Sequence, residues 1–265
     1  MSLRSLLSAA NHKVLSSLCR RTVSLGDRGP IVSFGFDDFP RTAYSVGGRV
    51  LESFGARGTY YVAPALMHSD GPLGEICNAD DILKLLEKGH ELGTQTLHHL
   101  SARAVSPAYF REDVEKGIQE AERIAGRKVR NFSYPFGHAT LGTKKALDPV
   151  VSTARGIRPG TNGPEVDLNL LRANRLYGNV AGSAAVRELI EQNLRQRGWL
   201  VFYTHDIRPA PSVYGCTSEL FEFAVSEAHR TGNRILTVGE VLNEIQNGTV
   251  PQPVEVKETP AAIVR

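Results

Sequence analysis

Cysteine is scarce in this chain and carries no pattern: Cys19, Cys77 and Cys216 are odd in number and far apart. No CxxC pair exists, which excludes a zinc knuckle and a disulfide framework; buried, reduced thiols fit a cytoplasmic location. Strong charge of one sign is also missing. The formal net charge is +3, and the basic residues are scattered rather than set in a stripe interleaved with aromatics, which argues against nucleic-acid binding. Apolar runs are short, and none reaches the roughly eighteen residues that span a bilayer. No GxGxxG follows the first predicted strand, and GxxxxGK[ST] and GxSxG are absent. A dinucleotide fingerprint, a P-loop and a nucleophile elbow are thereby excluded.

What is present reads as one large α/β unit. The composition is ordinary for a globular chain, with 41% hydrophobic and 22% charged residues over 265 positions, enough to bury a core without disulfides. Residues 1–28 stand apart. They carry Arg4, Lys13, Arg20, Arg21 and Arg28 against Asp27 alone. Leu3, Leu7, Ala10, Val14 and Leu18 share one helical face. Asn11, His12 and Lys13 interrupt any apolar h-region, so no secretory signal is expected. The segment is expected to be a helix packed across the barrel, or one resting on a membrane surface as a peripheral contact. From residue 29 to 246 short apolar runs alternate with helical ones. Strands are expected at 31–36, 58–62, 91–94, 131–134, 150–153, 170–176, 199–204 and 234–237, and helices at 80–88, 106–125, 184–197, 218–230 and 238–246. Residues 155–167, with three Gly and two Pro, read as loop. The tail 247–265 reads as disordered. Repeated strand–helix alternation without a composition break predicts a single distorted (β/α) barrel of about seven strands, with a doubly wound open sheet as the other arrangement.

Chemistry-bearing residues fall just after strands. Asp37 and Asp38 follow the first; Gln95, His98 and His99 follow the third; Tyr134, Pro135, Phe136 and His138 follow the fourth; His205 and Asp206 end the strand from Trp199. In a βα-barrel these strand ends meet on one face. Carboxylate, imidazole and carboxamide groups gathered there suggest a metal or acid–base site. Each alone has a plainer reading: a turn cap for Asp37-Asp38, a solvated pair for His98-His99, a satisfied pair for His205-Asp206.

Together they resemble the polysaccharide-deacetylase family of the chitooligosaccharide-deacetylase type. Ser33-Phe34-Gly35-Phe36-Asp37-Asp38-Phe39-Pro40 resembles its first motif. Gly89-His90-Glu91-Leu92-Gly93 resembles the lead into its second, Phe132 to Gly137 its third, and Tyr203-Thr204-His205 its last. The resemblance implies a metal-dependent hydrolase acting on an N-acylated amino-sugar glycan, with one divalent ion, zinc or similar. It implies Asp37 as general base, Asp38 and His99 as metal ligands, His205 as general acid and the Phe136 N–H as an oxyanion donor, with Tyr134 and Pro135 near the substrate.

Two departures stand out. The family's first metal-binding His falls on Gln95, four residues before His99, a spacing that suits two ligands on one helical face. A carboxamide is a poorer ligand than imidazole for zinc-like ions, so Asp38, Gln95 and His99 make a weaker site or one for a harder metal. The third-motif Arg is replaced by Ser133, and Arg155, Arg158 and Arg172 are the candidates for supplying that cation from a later strand end. His68, His90 and His138 are expected to be exposed. A carbohydrate-binding protein that kept the barrel and lost the metal is the second reading.

Overall fold

The computed structural model describes residues 17–248. The 1–16 part of the basic segment and the tail from 249 lie outside the described residues. Of that segment's remainder, Thr22–Ser24 is strand β1 rather than helix, followed by a 3-10 turn at Gly26–Arg28. β1 pairs antiparallel with β7 (Glu165–Asp167).

Alternation produces the main sheet. β2 (Ile31–Phe36), β3 (Thr59–Val62), β4 (Glu91–Thr94), β5 (Asn131–Ser133), β6 (Thr153–Arg155), β8 (Asn174–Arg175) and β9 (Trp199–Thr204) are parallel in the order β6-β5-β4-β3-β2-β9-β8, and β10 (Arg234–Ile235) adds to β2. The helices are α1 (Arg49–Ser53), α2 (Ala79–Glu87), α3 (Pro107–Ala125), α4 (Leu141–Leu147), α5 (Ser183–Gln196), α6 (Ser218–Arg230) and α7 (Val238–Asn247). The fold is a curled, parallel half-barrel wrapped by helices, the distorted (β/α) barrel expected. Residues 156–173 cross the seam between the edge strands β6 and β8, where Leu171 bridges Arg155 and Asn162 bridges Trp199.

Period-2 alternation sorts the strand residues. Val32, Phe34 and Phe36 face the helices, and Phe34 packs on Phe202 and Phe221. Ser33 and Asp37 face inward, where Ser33 accepts from Trp199 Nε1 at 2.9 Å. Ile31, Trp199, Val201 and Tyr203 belong to a separate apolar cluster, so the inward side is apolar toward the strand starts and becomes polar at the C-terminal end, where Asp37 stands.

Several expectations need correction, among them the 155–167 loop, which carries strand β7, and the 170–176 strand, which is reduced to Asn174–Arg175. The 150–153 strand begins later, at Thr153, because the N–H groups of Val150 and Val151 fold back to the Leu147 carbonyl. The helix after β2 opens as a π-helical turn, Ala43–Gly48. His90 is buried rather than exposed: its Nδ1 accepts from Gly58 N at 3.0 Å and its Nε2 lies 3.1 Å from Glu52. Burial pushes its pKa down, and it serves to lock α1 against β4. His68 is exposed as expected, whereas His138 is half-buried against Ser101 Oγ at 2.9 Å.

Candidate active site

Asp37 and Asp38 leave β2 in opposite directions. The Asp37 N–H continues the β2–β9 ladder to the Thr204 carbonyl at 2.9 Å, which aims its side chain into the barrel. There it meets Arg155, the last residue of β6. The buried Arg155 guanidinium donates to Asp37 Oδ1, to Ser133 Oγ at 2.5 Å and to the Gly156 carbonyl at 3.0 Å. It lies 5.1 Å from the Tyr61 ring centroid and 4.9 Å from that of Tyr203, a cation held between two π faces. Of the three arginines offered by the sequence, Arg155 is the one that reaches the first motif. It sits in a strand, not in the loop that the sequence suggested.

Asp38 adopts φ +59° and turns toward the cleft. Its Oδ1 is 3.0 Å from His99 Nε2 and accepts from Gln95 Nε2 at 3.2 Å; its Oδ2 is 3.8 Å from His205 Nε2. Asp38, Phe39, Thr96, His99 and Phe136 are five of the eight described non-glycine residues with positive φ. Backbone strain thus gathers where these side chains converge, as it does at functional sites elsewhere.

Gln95 and His99 do not share a helical face, because residues 95–100 form no helix. A left-handed backbone at Thr96 and His99 brings them together instead. α3 holds that turn. Asp113 Oδ2 accepts from the N–H groups of Leu97 and His98 at 3.0 and 3.1 Å. At Gly117 an added Cβ would come within 2.7 Å of Leu97 N and Thr96 C, so only glycine lets the helix this close. His98 turns away from the cleft, with Nδ1 2.6 Å from Asp113 Oδ1, and does not stand in for the missing imidazole.

Phe136, in a left-handed turn after β5, leaves its side chain 57% exposed and its ring 4.7 Å from His99. Tyr134 and Pro135, expected near the substrate, are both buried instead, and Tyr134 packs against Phe110 and Phe132 in the core. Alternation explains it: Tyr134 takes the helix-facing side that Phe132 also takes. On the opposite wall His205 Nδ1 is 3.1 Å from the Tyr214 carbonyl, and its ring lies near Tyr177 and Tyr214. Buried Asp206 fixes that loop by accepting from Ser212 N at 2.8 Å and pairing with Arg208 at 2.7 Å. The site residues not singled out from the sequence are Asp113, Tyr61, Tyr203, Tyr177 and Tyr214. Only the inward parity of Tyr61 and Tyr203 on their strands could have marked any of them.

Among the described residues no three His, Cys, Asp or Glu side chains group to hold a metal. Asp38 and His99 supply one carboxylate and one imidazole, and Gln95 is the third convergent donor. A half-turn of the Gln95 amide exchanges its nitrogen for its oxygen. With that exchange the set fits a divalent ion, one strong donor short of the usual trio for zinc.

Burial alone would raise the Asp38 pKa, but the His99 hydrogen bond and charge, with His205 and Arg155 behind them, outweigh it and hold the pKa below the usual range. A depressed carboxylate stabilises the fold fully above its unfolded value of 3.8 and loses that contribution as pH falls through the native value. Thermal melts on the acid side should therefore show a slope that Asp38→Asn flattens; an unchanged slope would contradict this assignment.

A family model described as polysaccharide deacetylase matches residues 26–149. Over this segment, a little under half of its length, the chain is similar to the polysaccharide deacetylase family. The fold extends the likeness past the matched segment. A CE4 domain of a multidomain xylanase from the hindgut metagenome of Trinervitermes trinervoides aligns with a TM-score of 0.59 at 16% identity, over 86% of this chain and 96% of that one. A family 4 acetyl xylan esterase from Clostridium thermocellum, solved with a cobalt ion, aligns with a TM-score of 0.57 at 17% identity, over 84% and 93%. A CE4 family pseudoenzyme from Bacillus anthracis aligns with a TM-score of 0.55 at 14% identity, over 82% and 67%. No curated protein matches the chain.

Proposed function

We propose that this chain is a polysaccharide deacetylase that removes the N-acyl group of an amino sugar in an oligo- or polysaccharide or glycan precursor. The carrying observation is the pairing of Asp37 with Arg155 and Ser133, next to the Asp38–His99–Gln95 cluster and across from His205. Arg155 fixes the position of the Asp37 carboxylate, which takes the proton of the attacking water. His205, held by the Tyr214 carbonyl, delivers a proton to the departing amine. The Phe136 N–H sits at the turn beside His99, where the carbonyl oxygen gains charge. A divalent ion held by Asp38, His99 and Gln95 would polarise the acyl carbonyl and lower the pKa of bound water.

A second reading has a specific observation in its favour. Gln95 and His99 already satisfy one Asp38 oxygen without a metal, and a fold neighbour is described as a pseudoenzyme. On that reading the chain binds glycans without hydrolysing them.

Acetate release decides between the two. Metal-stripped chain refilled with zinc, cobalt, nickel, manganese or magnesium is offered N-acetylated chitooligosaccharides and, separately, O-acetylated xylan. Metal-dependent release from the amide substrate is expected. Release from xylan alone would reassign the chain to ester chemistry. No release with any ion, in both the parent and Gln95→His, would favour the binding protein. Gln95→His should also tighten metal retention by about tenfold or more, as imidazole replaces a carboxamide, measured by equilibrium dialysis.

A further inference from the structure

Two of the arginines that the candidate site leaves unused meet elsewhere. Arg158 and Arg172 line a cavity of about 170 Å³ in the barrel seam, on the loop 158–164 and the strand-like return that follows it, together with Arg20. None of the three pairs with a carboxylate among the described residues. Arg172 is steadied by the Pro159 carbonyl at 3.2 Å, and burial, then the neighbouring Arg158 charge, push its pKa down. Two like charges held together in a partly buried cavity repel each other unless an anion lies between them.

The two acidic residues of the cavity do not cancel this. Asp167 is committed to Lys144 Nζ at 2.6 Å and to the Arg21 N–H at 3.1 Å. Glu165 is the one carboxylate left against three guanidiniums. The loop leading into Glu165, Arg158-Pro159-Gly160-Thr161-Asn162-Gly163-Pro164, has glycines at φ +120° and is fixed by Asn162 and Asn174 side chains. The frame is therefore rigid while the guanidiniums it presents are unmatched.

We propose that this seam cavity is a second ligand site, which binds a phosphate group, free or borne on a sugar. Guanidinium forks match phosphate oxygens in charge and in planar geometry, and the cavity admits one tetrahedral oxyanion. The proposal does not rest on the deacetylase reading, since the seam lies apart from the Asp37–Asp38 cleft and shares no residue with it.

Calorimetric titration of the full chain tests it, with inorganic phosphate in one arm and N-acetylglucosamine 1-phosphate in the other, against chloride at equal ionic strength. Saturable binding at one site is expected. Arg158→Gln and Arg172→Gln should each weaken it about tenfold, the loss of one charge-assisted hydrogen bond. Glu165→Gln should tighten it, because it removes the opposing charge. Tighter binding of the sugar phosphate would assign the site to a glycan, and equal binding to free phosphate. Phosphate heats no larger than those of chloride, or equal affinities in the parent and both arginine variants, would overturn the proposal. The Glu165→Gln arm covers the case in which an arginine variant folds poorly.

Discussion

Arg155→Ala is expected to lower stability by about 3–5 kcal/mol, because it strands Asp37 as a buried carboxylate with no counter-charge. The size follows from burial: the Arg155 side chain is 1% exposed and that of Asp37 9%, so water cannot replace the lost partner. The ring faces of Tyr61 and Tyr203 lose their filler at the same time. Urea unfolding measures the change. A double-mutant cycle separates the pair from the cavity, for Arg155→Met with Asp37→Asn removes both charges and should unfold at higher urea than Arg155→Ala alone. Arg155→Lys keeps the charge but not the fork that reaches Asp37, Ser133 and Gly156 together, so it should recover part of the stability and little of the turnover. If Arg155→Ala unfolds with the parent, the pair is not what holds the inner wall of the site.

The origin of that pair shows which parts of the molecule are legible in sequence. The barrel was legible because its strands are continuous apolar runs punctuated by glycine and capped helices. The runs at 31–36, 91–94 and 199–204 match their strands end for end. Asp37, Asp38, Gln95, His99 and His205 were legible because each directly follows a strand or its turn, and barrel topology sends those positions to one face. Arg155 was legible only as one of three candidates, with Arg158 and Arg172. Val150 and Val151 look like a strand start, yet local hydrogen bonds to Leu147 consume them, so the true strand slips by three residues and ends on the arginine. With the strand expected to stop at 153, Arg155 falls in a loop and has no assigned side; as the last strand residue it shares the side of Thr153. Tyr134 stands beside a motif yet does not face the site, because alternation turns it into the core. Long-range closeness, such as Asp113 beneath His98 or Tyr214 beside His205, depends on how α3 and the β9 loop dock and has no local signature.

Asp37→Asn tests the chemistry itself, and a fall in turnover of about 10²–10⁴-fold is expected from loss of a general base. The substitution is close to isosteric, and its amide oxygen can still accept from Arg155 and Ser133, so geometry is kept while proton affinity is lost. Turnover should fall with KM nearly unchanged, because the removed interaction acts on the attacking water and not on the bound glycan. Metal retention should stay at the parent level, since Asp37 points to Arg155 while Asp38 points to His99 and Gln95. Asp38→Asn should show the opposite pattern, losing the ion along with the activity. The two neighbouring carboxylates thereby give separable signatures, one kinetic and one in metal content. Full turnover in Asp37→Asn would remove Asp37 from the mechanism and leave its buried ion pair with a structural role alone.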